Sequence, residues 1–117
     1  MKRILVADDD LNISKLVRFK LERAGYQVEI ADDGFQARDR IKSGDWDLVF
    51  LDVMMPGVTG WELLKEIRAS EGPVSNVPVI ILTASGQQKH MDQAKELGAT
   101  EFLKKPFDPD EVVEAAR

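Results

Sequence analysis

The sequence has no cysteine, one histidine and one tyrosine. Without cysteine there is no disulfide framework and no thiolate nucleophile, which fits a cytoplasmic chain. No apolar run approaches the roughly 20 residues that a membrane span needs. The opening Met1-Lys2-Arg3 followed by Ile4-Leu5-Val6 has the look of a signal peptide, but the run stops at Asp8, short of the about 7–15 apolar residues such a segment requires. Basic charge is scarce as well: the formal net charge is −5. This domain therefore lacks the basic patch that gripping nucleic acid demands, and any DNA contact is expected from another domain or a partner. Repeats and low-complexity segments are missing. What is present, 117 residues with 44% apolar and 32% charged side chains, describes one globular domain with a real core and no room for a second.

The informative stretch is Asp47-Leu48-Val49-Phe50-Leu51-Asp52, followed by Val53-Met54-Met55-Pro56-Gly57. Four consecutive apolar residues read as a strand, Asp47–Leu51, buried on both faces as in a parallel sheet. Asp52 then falls at the strand's carboxyl end, where open α/β sheets gather their chemistry.

Around it the chain alternates. Ile4 to Ala7 is a first buried strand, ending in Asp8-Asp9-Asp10, of which Asp9 or Asp10 caps a helix. That helix places Ile13, Val17, Leu21 and Ala24 on one stripe, with Leu16 at its margin, and Gly25 ends it. Tyr26–Ala31 alternates as a strand; Asp32-Asp33-Gly34 turns into a helix with Phe35, Ala37 and Ile41 inward. Thr59 is a plausible cap for a third helix burying Leu63, Leu64 and Ile67. Residues 69–76 read as loop, and Val77–Leu82 as a fourth strand. A helix through Met91, Ala94 and Leu97 stops at Gly98. Ala99–Leu103 is a short fifth strand, and Asp108-Pro109 opens a last helix from about Asp110 to Arg117. Five β-α units imply a parallel sheet, right-handed crossovers and helices on both faces. The last helix is short and lacks a C-cap, so an output module is expected to follow in the parent protein.

Every strand in such a sheet delivers its last residues to one edge: Asp8 and Asp9, Asp52, Thr83 and Lys105. Three carboxylates repel unless a hard cation joins them, and Mg2+ with oxygen ligands suits them. In phosphoryl transfer Asp52 would be the nucleophile forming an acyl phosphate. Lys105 would pair with the phosphate as a point charge, and Thr83 would donate its hydroxyl to it.

These pieces in order (Asp8-Asp9, Asp52 with Met55-Pro56-Gly57, Thr83-Ala84 and Lys105-Pro106-Phe107) resemble the receiver domain of two-component response regulators over essentially the whole chain, residues 1–117. The resemblance implies a flavodoxin-like (βα)5 doubly wound three-layer sandwich with strand order 2-1-3-4-5. It implies a sensor histidine kinase or histidine phosphotransfer protein as phosphodonor to Asp52. It implies Mg2+ held by Asp9, Asp52 and the Met54 backbone carbonyl, with Asp8 acting through water. A cis Lys105-Pro106 bond and a Thr83–Phe102 switch are also implied, the switch remodelling the helix 4–strand 5–helix 5 face. That face would control an output partner or domain, or a phosphorylation-dependent homodimer. On this reading the domain phosphorylates itself and slowly loses the phosphoryl group, without being a turnover enzyme.

Simpler roles stand beside these. Asp10 serves as a helix cap, Thr83 as a turn hydroxyl and Phe102 as core. His90, between polar residues in mid-helix, reads as exposed and without a catalytic part. Trp46 and Trp61 cover core edges, and Phe19 lies off the stripe of its helix. Ile13 and Leu16 either dock the phosphodonor or pack in the core. Met54 and Ser85 occupy positions that tune acyl-phosphate lifetime in the family. Receivers joined to winged-helix DNA-binding domains carry an acidic pair before the strand-five aromatic and an arginine in the last helix. Here Thr100 replaces one acid and Ala115 stands at the arginine, so that subtype is not assigned. Two other classes compete, besides a degenerate receiver acting by binding alone. A haloacid-dehalogenase-like phosphatase needs a second aspartate where Met54 stands. A flavodoxin needs a hydroxyl-rich loop where this chain has three aspartates.

Overall fold

In the computed structural model, which describes residues 2–84, 87–105 and 107–116, the alternation becomes five strands and five helices. The order is β1 (Arg3–Ala7), α1 (Leu11–Arg23), β2 (Gln27–Ala31), α2 (Gly34–Ser43), β3 (Leu48–Asp52) and α3 (Gly60–Ala69). A 3-10 turn at Pro73–Asn76 follows, then β4 (Val79–Thr83), α4 (Gln88–Glu96), β5 (Glu101–Lys104) and α5 (Pro109–Ala116). All strand pairs are parallel, in the order β2-β1-β3-β4-β5. This is the doubly wound order expected from the resemblance.

Alternation along each strand feeds two cores. Leu5, Ala7, Val49, Leu51, Val79 and Ile81 face Ala37, Ile41, Leu63, Leu64, Ile67 and Ala94 of α2, α3 and α4. Ile4, Val6, Leu48, Phe50, Ile80 and Leu82 face Val17 and Leu21 of α1 and Val112 of α5. β3 is buried along its whole length, as a central parallel strand must be. Its apolar side chains contribute about 1.5–3 kcal/mol each, which anchors whatever chemistry its last residue carries.

The caps follow simple electrostatics. Asp10 accepts the N–H groups of Asn12 and Ile13 at the start of α1, Asp33 that of Gln36, and Thr59 that of Glu62. Of the two acids that suited the first cap, Asp10 takes it, which leaves Asp9 free of that duty. Gly25 and Gly98 end their helices at φ 100 and 93, where only glycine is unstrained.

Several expectations are corrected. Asp52 is the last residue of β3 rather than the residue after it, and the remaining strands and helices shift by a residue or two at their ends. Phe35 is 59% exposed: the inward stripe of α2 is Gly34, Ala37 and Ile41, which leaves the ring about 100° off it, and the ring instead lies against Gly57. Ala24 is exposed because it forms the C-cap, where the stripe of α1 has already ended. On α4 only Ala94 is buried; Met91 is on the surface and Leu97, in the C-cap, is half-buried. His90 is half-buried rather than exposed. Trp46 and Trp61 do cover a core edge. Trp46 donates its indole N–H to the Arg40 carbonyl at 2.8 Å, and the Arg3 guanidinium lies 4.7 Å from its ring centre.

Candidate functional site

The carboxyl ends of β1, β3 and β4 and the residue after β5 converge. Asp8 is fully buried, and Asp52 and Thr83 are each 5% exposed, whereas Asp9 reaches solvent. Backbone pairing fixes the positions: Asp8 N donates to Ala31 O at 3.1 Å, Val53 N to Leu82 O at 3.1 Å and Lys105 N to Thr83 O at 2.6 Å. The loop after β3 is held as tightly. Gly34 N donates to Pro56 O at 2.9 Å and Gly60 N to Val53 O at 3.0 Å. A Cβ at Gly60 would strike the Asp52 carbonyl, so α3 begins flush against the acid-bearing strand.

The side chains form a compact charged cluster. One carboxylate oxygen from each of Asp8, Asp9 and Asp52 lies within 4.8 Å of the others. Lys105 places its ammonium 2.8 Å from Asp8 Oδ2 and 3.3 Å from Asp52 Oδ2. Met54 N–H donates to Asp52 Oδ1 at 3.3 Å, and Asp10 N–H to Asp8 Oδ1 at 2.9 Å. Among the described residues the buried Asp8 Oδ2 has this ion pair with Lys105 and no further hydrogen-bond donor. An all-oxygen donor set with one such oxygen fits a hard divalent cation.

Burial raises the Asp52 pKa to about 7, and the Asp8 carboxylate adds to the rise; Lys105 and the Met54 N–H pull it the other way. Ionising Asp52 at neutral pH thus opposes folding, a cost that the buried length of β3 can bear. Burial disfavours the Lys105 ammonium, yet Asp8 and then Asp52 outweigh it and its pKa is raised. Two acids and one base are held together against their desolvation, a condition met more often at functional sites than elsewhere.

Thus Asp8, Asp9, Asp52, Thr83 and Lys105 reach one edge of the sheet, while Lys104 points to solvent. Met54 is 74% exposed. Phe102, on β5 beside Ile81, is half-buried against the α2–α4 core. Pro106, with the expected cis bond, and Ser85 lie outside the described residues. A cleft of about 710 Å3 lined by Arg3, Lys42, Trp46 and Glu71 sits at the opposite, amino edge of the sheet, away from this chemistry. Sequence reasoning missed one residue, Ser14, whose hydroxyl is fully buried beneath the acid-bearing turn. Its i, i+3, i+7 spacing with Val17 and Leu21 was the available signal, and Ile13 competed for the same stripe.

The family model for the response regulator receiver domain matches residues 4–117. This chain is a response regulator receiver domain. The receiver is 42% identical to the CpxR homolog of Haemophilus influenzae, a transcriptional regulatory protein, over 97% of this chain and 48% of that one. It therefore spans about half the length of the curated relatives it matches. Among solved structures it is similar to the Francisella response regulator 1452 receiver domain (34% identity, TM-score 0.92, 99% of this chain and 93% of that one). It is also similar to Thermotoga maritima TrrA, solved in complex with Mg2+-BeF (37% identity, TM-score 0.84, 98% and 96%).

Proposed function

We propose that this receiver is a phosphorylation-activated switch whose phosphoacceptor is Asp52. The arrangement that carries the reading is Lys105 between Asp8 and Asp52, at 2.8 and 3.3 Å, beside a three-carboxylate cluster. An Asp52 oxygen attacks the phosphorus of a phosphohistidine on a sensor kinase or phosphotransfer protein. The P–N bond breaks, the imidazole leaves with the bond's electron pair, and an acyl phosphate forms. Lys105 meets the added negative charge, and the Thr83 hydroxyl donates to a phosphate oxygen.

Asp9, Asp52 and the Met54 carbonyl would hold Mg2+, with Asp8 acting through water. That the similar protein TrrA was solved in complex with Mg2+-BeF supports reading the cluster as a Mg2+ site. Bound there, the ion neutralises phosphate charge. Phosphorylation then draws Thr83 inward, Phe102 follows, and the α4–β5–α5 face changes to control an output partner or domain, or homodimerisation. The physical device is a bistable element biased by one local charge. The domain sits in the cytoplasm, and among the described residues no helix is long and apolar enough to cross a membrane.

The test is intact mass after incubation with acetyl phosphate, with and without Mg2+, for wild type and Asp52→Asn. A Mg2+-dependent gain of about 80 Da, one phosphoryl group, that is lost in the variant is expected. No adduct under conditions that label another receiver would reduce this chain to a degenerate receiver that signals by binding alone.

A further inference from the structure

Ser14 is the one polar residue on the inward stripe of α1, with Val17 and Leu21, and it is fully buried. Its hydroxyl oxygen lies 3.1 Å from the Asp10 carbonyl and 3.2 Å from the Asp8 carbonyl. The first contact is the ordinary back-bond of a helical serine to the carbonyl four residues earlier. The second is not. It reaches six residues back, past the helix cap, to the carbonyl of the peptide that joins Asp8 to Asp9.

Both ends of this corner are already fixed by other bonds. Asp8 is tied by its N–H to Ala31 and by Oδ1 to the Asp10 N–H. Asp10 is tied by its capping bonds to Asn12 and Ile13. Between them runs the Asp8–Asp9 peptide plane, and its tilt decides where the exposed Asp9 side chain leaves the backbone. A hydroxyl has one proton to give, and Ser14 divides it between the two carbonyls that bracket Asp9. A buried carbonyl that loses its donor costs more than the bond itself is worth, so the plane has reason to stay where the serine holds it.

We propose that Ser14 is a positioning residue that fixes the Asp8–Asp9 peptide plane and thereby keeps the Asp9 carboxylate within the acid cluster for a divalent cation. The proposal rests on reading that cluster as a Mg2+ site. Alanine at position 14 is a better helix former than serine, so the fold tolerates the change while the Asp8 carbonyl loses its tether.

The experiment is calorimetric titration of MgCl2 into unphosphorylated wild type, Ser14→Ala, Ser14→Thr and Asp9→Asn, each melted in EDTA alongside. Ser14→Ala is expected to weaken Mg2+ binding about fivefold, which is ~1 kcal/mol at 1.4 kcal/mol per tenfold. Ser14→Thr, which keeps the hydroxyl, retains the wild-type affinity. A Ser14→Ala protein that melts lower yet binds Mg2+ as wild type does would overturn the proposal and leave Ser14 a packing residue. Wild type that binds no Mg2+, or Asp9→Asn that binds it equally well, would instead overturn the metal-site reading beneath it.

Discussion

The Lys105 ammonium lies 2.8 Å from Asp8, nearer than the 3.3 Å that separates it from Asp52. Asp8 is fully buried and Lys105 largely so. The lysine therefore compensates a buried carboxylate even before any phosphate arrives.

Replacing Lys105 by Gln leaves two buried acids facing each other without a cation. In EDTA at pH 7.5 the variant is expected to lose about 1–3 kcal/mol, because an unpaired buried charge costs more than the pair gained. Mg2+ should restore part of the loss. Urea denaturation measures it, and unchanged stability in EDTA would show that Asp8 needs no compensation.

Asp52 has the opposite sign. Its folded pKa is raised to about 7, first by burial and then by Asp8, against an unfolded value near 3.9. Below the unfolded value both states hold the proton; between there and about 7 the folded state alone holds it. Stability from this group is thus complete at low pH and falls as pH rises through that window. Asp52→Asn cannot ionise. In EDTA it should exceed wild type by about 1–3 kcal/mol at pH 8, with a smaller margin at pH 5.5. Denaturant melts at the two pH values test this, and a margin that shrinks toward pH 8 would contradict it.

Met54 is 74% exposed two residues beyond Asp52, and its apolar side chain would offer no hydrogen bond to a water attacking an acyl phosphate formed there. Met54→Asn supplies one. Phosphate loss after kinase removal is expected to quicken about fivefold, the worth of one hydrogen bond of ~1 kcal/mol in the barrier. An equal or slower rate would dismiss this role.

Gly60 meets the Asp52 carbonyl where a Cβ would stand. Backbone cannot swing aside as a flexible side chain can, so Gly60→Ala should cost about 1–3 kcal/mol and slow phosphorylation by shifting β3's last residue. Gly25 has open space around it and only its φ of 100 to lose, so Gly25→Ala should cost about 1 kcal/mol and leave phosphorylation unchanged. Thermal melts with mass-detected phosphorylation separate the two effects.

What the sequence determined was the placement of chemistry by strand. Buried runs that each end in an acid, a hydroxyl or a lysine can be read from hydrophobic pattern alone, because a parallel sheet sends all strand ends to one edge. The cap at Thr59 was legible for a similar reason, since its hydrogen bond is local, and the first cap was narrowed to Asp9 or Asp10, between which the structure chose Asp10. Tertiary structure decided the rest. Whether a side chain a step off a helical stripe goes inward depends on what packs there: Phe35 was displaced onto Gly57, and Ser14 was admitted to the core because carbonyls of the acid-bearing turn lay within reach. It also decided that Lys105 pairs more closely with Asp8 than with Asp52. That preference is set by distances and burial across four strands, quantities that no local pattern encodes.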